Sequence, residues 1–168
     1  MHDIFSHASF EPGRLADYKI HHMVLFPPAW AACALSVNLS WRIVPFDASS
    51  LDSVPDDQRG IYSFVVQPGI ANHPACAYLL YVGQTTRSFR VRYREYLRDQ
   101  AAGFDCRRPH ISGMLNKWKG YLWFCYAHID DESLIEPTED ALIGAYLPPT
   151  NVEMPGKLNR AVAFFMGT

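Results

Sequence analysis

The sequence predicts an α+β fold carrying an N-terminal extension, and three observations lead there. Short runs of β-branched and aromatic residues at 61–66, 78–82 and 121–127 read as strands. Between and after them lie three helix-length segments, each with a recognisable start or stop. At 168 residues, 49% hydrophobic and 14% aromatic, the chain can bury one real core.

Taken in order, residues 1–58 form the extension and residues 59–168 the main domain. Within the extension a helix opens at Pro28 and runs through Trp30 to Leu35, because proline suits the first helical turn. Residues 41–44 read as an extended piece, and the Asp-, Ser- and Pro-rich stretch 47–59 as a linker. Strand 61–66 ends at Pro68-Gly69, and strand 78–82 returns after a loop containing Asn72 and Pro74, giving a β-hairpin with a long connection. Thr85-Thr86 can cap a helix from about 88 to 101, with Gly103 as its stop. A second helix at 111–119 ends at Gly120 and leads into the third strand. The third helix, 138–146, offers Leu142, Ile143 and Tyr146 to the core, puts Glu139 in its first turn, and stops at Pro148-Pro149.

Composition and charge narrow the function. The formal net charge is −2, but between Arg87 and Lys119 nine basic residues face three acids, whereas residues 130–140 hold six acids. Such a basic stripe attracts a phosphate backbone, or is simply a solvated helix face. Arg87, Arg90, Arg94, Arg107, Arg108 and His110 are its candidate nucleic-acid contacts. Cys33, Cys76, Cys106 and Cys125 contain no C-x-x-C pair, and His21-His22 has no ligand spacing, so neither a zinc site nor a disulfide framework is indicated. The most apolar window, 23–37, is short for a bilayer helix and is broken by Pro27-Pro28, so no membrane role is expected. Asp3, His7, Glu11 and Arg14 interrupt any secretory signal, which makes the cytoplasm the expected location.

Two triplets stand out, Gly60-Ile61-Tyr62 and Tyr81-Val82-Gly83, followed by Arg92, Tyr96, Glu139 and Asn151. With Gln84-Thr85-Thr86 leading to Arg92, and Glu139-Asp140-Ala141-Leu142-Ile143 running on through Tyr146 and Pro148 to Asn151, this order resembles the GIY-YIG nuclease family. The resemblance spans Gly60 to Asn151. It implies a small three-stranded antiparallel sheet flanked by helices, with Tyr62, Tyr81, Arg92, Tyr96, Glu139 and Asn151 as the catalytic set. Two departures accompany it: eighteen residues separate Tyr62 from Tyr81, more than the family usually shows, and Tyr96 stands where several members carry histidine.

Phosphodiester hydrolysis needs an aligned water, neutralisation of the phosphate and help for the departing oxygen. Glu139 is the expected metal ligand, since one carboxylate with waters and a substrate phosphate suits Mg²⁺, with Mn²⁺ an acceptable substitute. Glu136 and Asp140 flank it, and Asp140 points about 100° away on a helix. Arg92 offers a planar fork to a phosphate oxygen. Tyr62 is the candidate base, which requires nearby positive charge because a phenol titrates near pH 10. Tyr81 and Tyr96 would orient phosphate and water, and Asn151 would tie the loop after the third helix to the site.

Taken singly, each residue also has a plain reading: strand aromatics, a first-turn carboxylate, helix-surface side chains and a turn asparagine. The expectation is a DNA endonuclease of restriction or defence type, with duplex preferred to single strands and RNA open. One site cuts one strand, so double-strand cleavage calls for a homodimer, two binding events or a partner chain. The alternatives are a non-catalytic nucleic-acid-binding or targeting subunit on the same fold, and a protein-interaction domain.

Overall fold

Four strands, not three, make the sheet: β1 Arg42–Pro45, β2 Gly60–Val66, β3 Tyr78–Thr85 and β4 Leu122–His128 lie in the order β1-β4-β2-β3, every neighbouring pair antiparallel. The structure, a computed structural model, describes Lys19, residues 23–68 and residues 77–151. His21-His22, Asn72, Pro74 and Cys76 lie outside the described residues.

The fourth strand is the short piece around Trp41–Val44, expected only as an extended segment of the N-terminal extension. Arg42 pairs with Tyr126 and Pro45 with Trp123, so it is hydrogen-bonded into the same sheet as the strands after residue 59. Four residues ending in proline are too brief to signal pairing in sequence, and proline suits an edge strand such as this. β2, buried along nearly its whole length, is central and pairs with both β3 and β4.

Strand alternation distributes the core. Tyr62, Phe64 and Val66 face one side together with Leu122, Phe124 and Tyr126, and meet Phe89, Tyr93, Tyr96, Ile111 and Leu115 of two helices, α2 Phe89–Ala102 and α3 Pro109–Lys117. Ile61 and Val82 face the other side, against Ile135, Leu142 and Ile143 of α4 Ile135–Tyr146. A short helix, α1 Pro27–Ala32, packs on α4. Fully burying an aromatic such as Phe64 or Phe124 contributes roughly 2–3 kcal/mol, so the aromatic layer under α2 is a principal source of cohesion. Between Phe64 and Val65 the register of β3 shifts, so that Leu80 and Tyr81 both turn toward the α2 side.

Helix ends differ in detail from the expectation. Ser88, not Thr85 or Thr86, caps α2 by accepting from the Val91 N–H at 3.3 Å; Thr85 instead bonds the backbone of Arg87. Gly103, at φ +64°, follows its last turn. α1 ends at Ala32 instead of continuing to Leu35, and α3 opens two residues early, on Pro109. α4 begins at Ile135, directly after a 3₁₀ turn at Glu132–Leu134, so Glu139 stands in its second turn and not its first. Pro137 is tolerated because first-turn N–H groups have no helical acceptor. Leu147 takes the left-handed conformation at φ 48° and redirects the chain toward β3. Among the described residues no helix is long and apolar enough to cross a membrane.

Candidate active site

Tyr62 projects from β2 toward α2, directly beside Gly83 of β3. A Cβ at residue 83 would come within 2.6 Å of both Cζ and Oη of Tyr62 and within 2.7 Å of the Tyr81 ring, so the second triplet ends in glycine to make room for the tyrosine of the first. The Tyr62 and Tyr96 hydroxyls hydrogen-bond each other at 2.8 Å, and Arg92 Nε donates to Tyr62 Oη at 2.9 Å. Arg92 and Tyr96, four residues apart on α2, share the face that meets the sheet. The Arg92 guanidinium lies 5.1 Å from the Tyr96 ring centroid, and Arg108 lies 4.7 Å from it. Tyr81 completes the aromatic group, its centroid 6.3 Å from Tyr62 and 6.5 Å from Tyr96.

Burial sets the electrostatics. Tyr62 and Tyr96 are both 0% exposed, and loss of solvent pushes both phenols above their usual range, with Tyr81 adding to the rise and Arg92 opposing it. The shift favours neutral phenols, so Tyr62 becomes a base only where further positive charge and access to water are supplied. Burial also works against the charge of Arg92, but Tyr62, Tyr96 and Glu95 more than offset this and its pKa rises. Arg92 Nη1 donates to Glu95 Oε2 at 2.9 Å, and Arg87 grips the same carboxylate at 2.7 and 3.1 Å. Glu95 accordingly sits below the ordinary glutamate range although burial alone would raise it.

The remaining two residues approach around the outer edge of β3. On that edge the backbone groups of Leu80, Val82 and Gln84 point away from β2. The Thr150 N–H donates to the Leu80 carbonyl at 3.0 Å. Asn151 acts as a strand substitute, its Oδ1 accepting from the Val82 N–H at 3.0 Å and its Nδ2 donating to the Val82 carbonyl at 2.8 Å. The Gln84 N–H lies close enough to the Glu139 carboxylate to favour its charged form. Glu139 is half-buried and its pKa is pushed up to about 7, first by burial and then by Asp140 and Glu136, while Arg92 and the Gln84 N–H pull it down. Tyr62, Tyr81, Arg92 and Tyr96 therefore form one contact group, with Glu139 inside the field of Arg92; Asn151 touches the edge of β3 and not that group.

The basic stripe divides into two classes. Arg90 donates to the carbonyls of Val54 and Asp52, clamping the 3₁₀ turn Ala48–Ser53 to α2, and Arg108 pairs with Asp99. Arg87 is held by Glu95. Arg94 and Arg107 are exposed, with no hydrogen bond or ion pair among the described residues. His110, the second residue of α3, is exposed, and its pKa is lowered by partial burial and by Arg108. Sequence reasoning overlooked Glu95. Its only signal is the (i, i+3) spacing from Arg92, which ordinary solvated helix pairs share.

Among the described residues no three His, Cys, Asp or Glu side chains gather as a metal cluster. A single half-buried carboxylate fits a cation that keeps most of its water, as Mg²⁺ does, and does not fit a closed zinc site. Compared with known proteins, the chain matches no protein-family model, no curated protein and no solved structure.

Proposed function

We propose that this protein is a metal-dependent endonuclease of the GIY-YIG kind that hydrolyses phosphodiester bonds in DNA, with a role in restriction or defence. The observation that carries the reading is the junction at Tyr62 Oη, where Arg92 Nε and the Tyr96 hydroxyl meet within 2.9 Å while the same arginine acts electrostatically on Glu139. A structural ion pair would not need a half-buried arginine bonded to a phenol on one side and a destabilised carboxylate in its field on the other.

Each residue has a defined task. Glu139 would hold Mg²⁺, which when bound supplies charge neutralisation at the phosphate and acidifies a water. Arg92 stabilises the negative charge that grows on the phosphate oxygens. Tyr62 presents its oxygen to the Arg92 Nε–H and to Tyr96, so the phenolate left when Tyr62 gives up its proton to solvent would be stabilised there and could take a proton from the attacking water. Tyr96 orients Tyr62, Tyr81 lines the half-buried approach, and Asn151 fixes the β3 edge beside Glu139.

One observation favours a second reading, a nucleic-acid-binding subunit without catalysis: the Tyr62 and Tyr96 side chains are wholly covered, so water reaches neither hydroxyl without local opening. Incubating wild type and Glu139→Ala with plasmid, linear duplex, single-stranded DNA and RNA, with Mg²⁺ or chelator, separates the two. Mg²⁺-dependent cutting of DNA by wild type, lowered at least a hundredfold in the variant, is the expected result; one lost catalytic group commonly costs about that much. Binding without cutting by both proteins favours the second reading.

A further inference from the structure

Glu95 has no part in the catalytic set, yet it receives three charge-assisted hydrogen bonds from two arginines. We propose that Glu95 is a positioning residue: bridged to Arg87, it locks the guanidinium of Arg92 so that Nη2 alone is presented to the scissile phosphate.

Three contacts constrain Arg92. Nε is spent on Tyr62 and Nη1 on Glu95, while one face of the group lies on the Tyr96 ring. Two directed in-plane bonds to different partners fix the orientation of the guanidinium, and Nη2 has no hydrogen-bond partner among the described residues. Tyr62 in turn cannot shift, because its ring fills the space that Gly83 leaves open. Glu95 alone would be a weak support, since an (i, i+3) pair on a helix surface is easily broken. Arg87 changes that: it takes both carboxylate oxygens end-on from the loop before α2, so the carboxylate is anchored from outside its own helix.

The contrary arrangement, in which Glu95 merely fills the place of a substrate phosphate and leaves when DNA arrives, would sacrifice three charge-assisted bonds together. It would also release Arg92 into motion at the moment when orientation matters. The lowered pKa of Glu95 keeps it ionised as a bridge at neutral pH.

The activity arm of the test rests on the endonuclease reading; the spectroscopic arm does not. In the full chain, Glu95→Gln and Arg87→Ala are compared with wild type for plasmid cleavage in Mg²⁺ and for solvent exchange of the Arg92 Nε–H by NMR. Glu95→Gln is expected to lower kcat about tenfold with KM within about twofold, as loss of orientation alone would. Exchange at Arg92 Nε–H should rise about tenfold as well, with Glu95→Asp restoring part of both effects. Arg87→Ala, at a side chain 58% exposed and remote from the core, should act in the same direction but less. Unchanged Nε–H exchange in Glu95→Gln overturns the proposal, as does tighter DNA binding with undiminished kcat, which would make the carboxylate a competitor of phosphate. If wild type cuts no polymer, the endonuclease reading fails, and the exchange measurement still decides whether Glu95 fixes Arg92.

Discussion

Glu139 is the residue whose protonation most directly tests the site. Its pKa rises from the ordinary 4.5 to about 7 on folding, so below pH 4.5 it is protonated in both states and has no effect. Between 4.5 and 7 the folded chain binds a proton that the unfolded chain has released, and stability falls as pH rises; above 7 the charged, half-buried carboxylate is a standing penalty. In chelator, Glu139→Gln should therefore melt above wild type at pH 8 and alongside it at pH 4. Adding Mg²⁺ at pH 8 should raise the melting temperature of wild type only, because only wild type offers the cation a charged ligand. Calorimetry in matched buffers checks both, and a wild-type melting temperature indifferent to Mg²⁺ would argue against a metal on Glu139. Glu95 carries the opposite sign. With its pKa lowered on folding, the stability it adds is present above the usual glutamate range and is lost as pH falls through its lowered value. The advantage of wild type over Glu95→Gln should thus be largest near neutrality and fade in acid.

Among the elements, β3 carries most of the arrangement. Gly83→Ala would drive a methyl into Tyr62 and Tyr81, a steric cost of about 1–3 kcal/mol by analogy with overpacked cores. It should lower the melting temperature and, by moving the Tyr62 hydroxyl, also abolish cleavage; Val82→Ala, on the opposite face, should affect stability alone. The hairpin, the helix carrying Arg92 and Tyr96, and the helix carrying Glu139 were legible because their apolar periodicity and punctuation are strong. β1 was not, since four residues ending in proline show no repeat. The start of α4 at Ile135 was not legible, since the preceding 3₁₀ turn leaves no clear start signal and a proline in the first turn, Pro137, costs a helix nothing. Adjacency of Tyr62 to Gly83 follows from strand register once the hairpin is accepted. The Arg87–Glu95–Arg92 bridge does not, because it depends on a loop conformation that residue spacing leaves undetermined.

For the molecule as a whole, the charge stripe read from the sequence overstates what is available to a polyanion. Arg87, Arg90, Arg92 and Arg108 are engaged within the protein, which leaves, among the arginines of the stripe, Arg94 and Arg98 on the outer face of α2 and Arg107 before α3 exposed. Replacing Arg94 and Arg98 with alanine should weaken DNA binding uniformly across sequences. The slope of log affinity against log salt should flatten by about two if each meets one phosphate, with kcat unchanged. An unaltered slope would move the DNA path elsewhere.

The two rims of the sheet differ in a way that bears on solubility. One rim is short and closes on a proline, while the other is eight residues long and is covered by Thr150 and Asn151. Removing everything from Thr150 onward would bare a ribbon of unmet amide and carbonyl groups flanked by the exposed ring of Tyr78, a surface suited to zippering with its own kind. Such a shortened protein should form higher-order species on size-exclusion chromatography, whereas Asn151→Asp, which keeps an acceptor for the Val82 N–H, should stay dispersed.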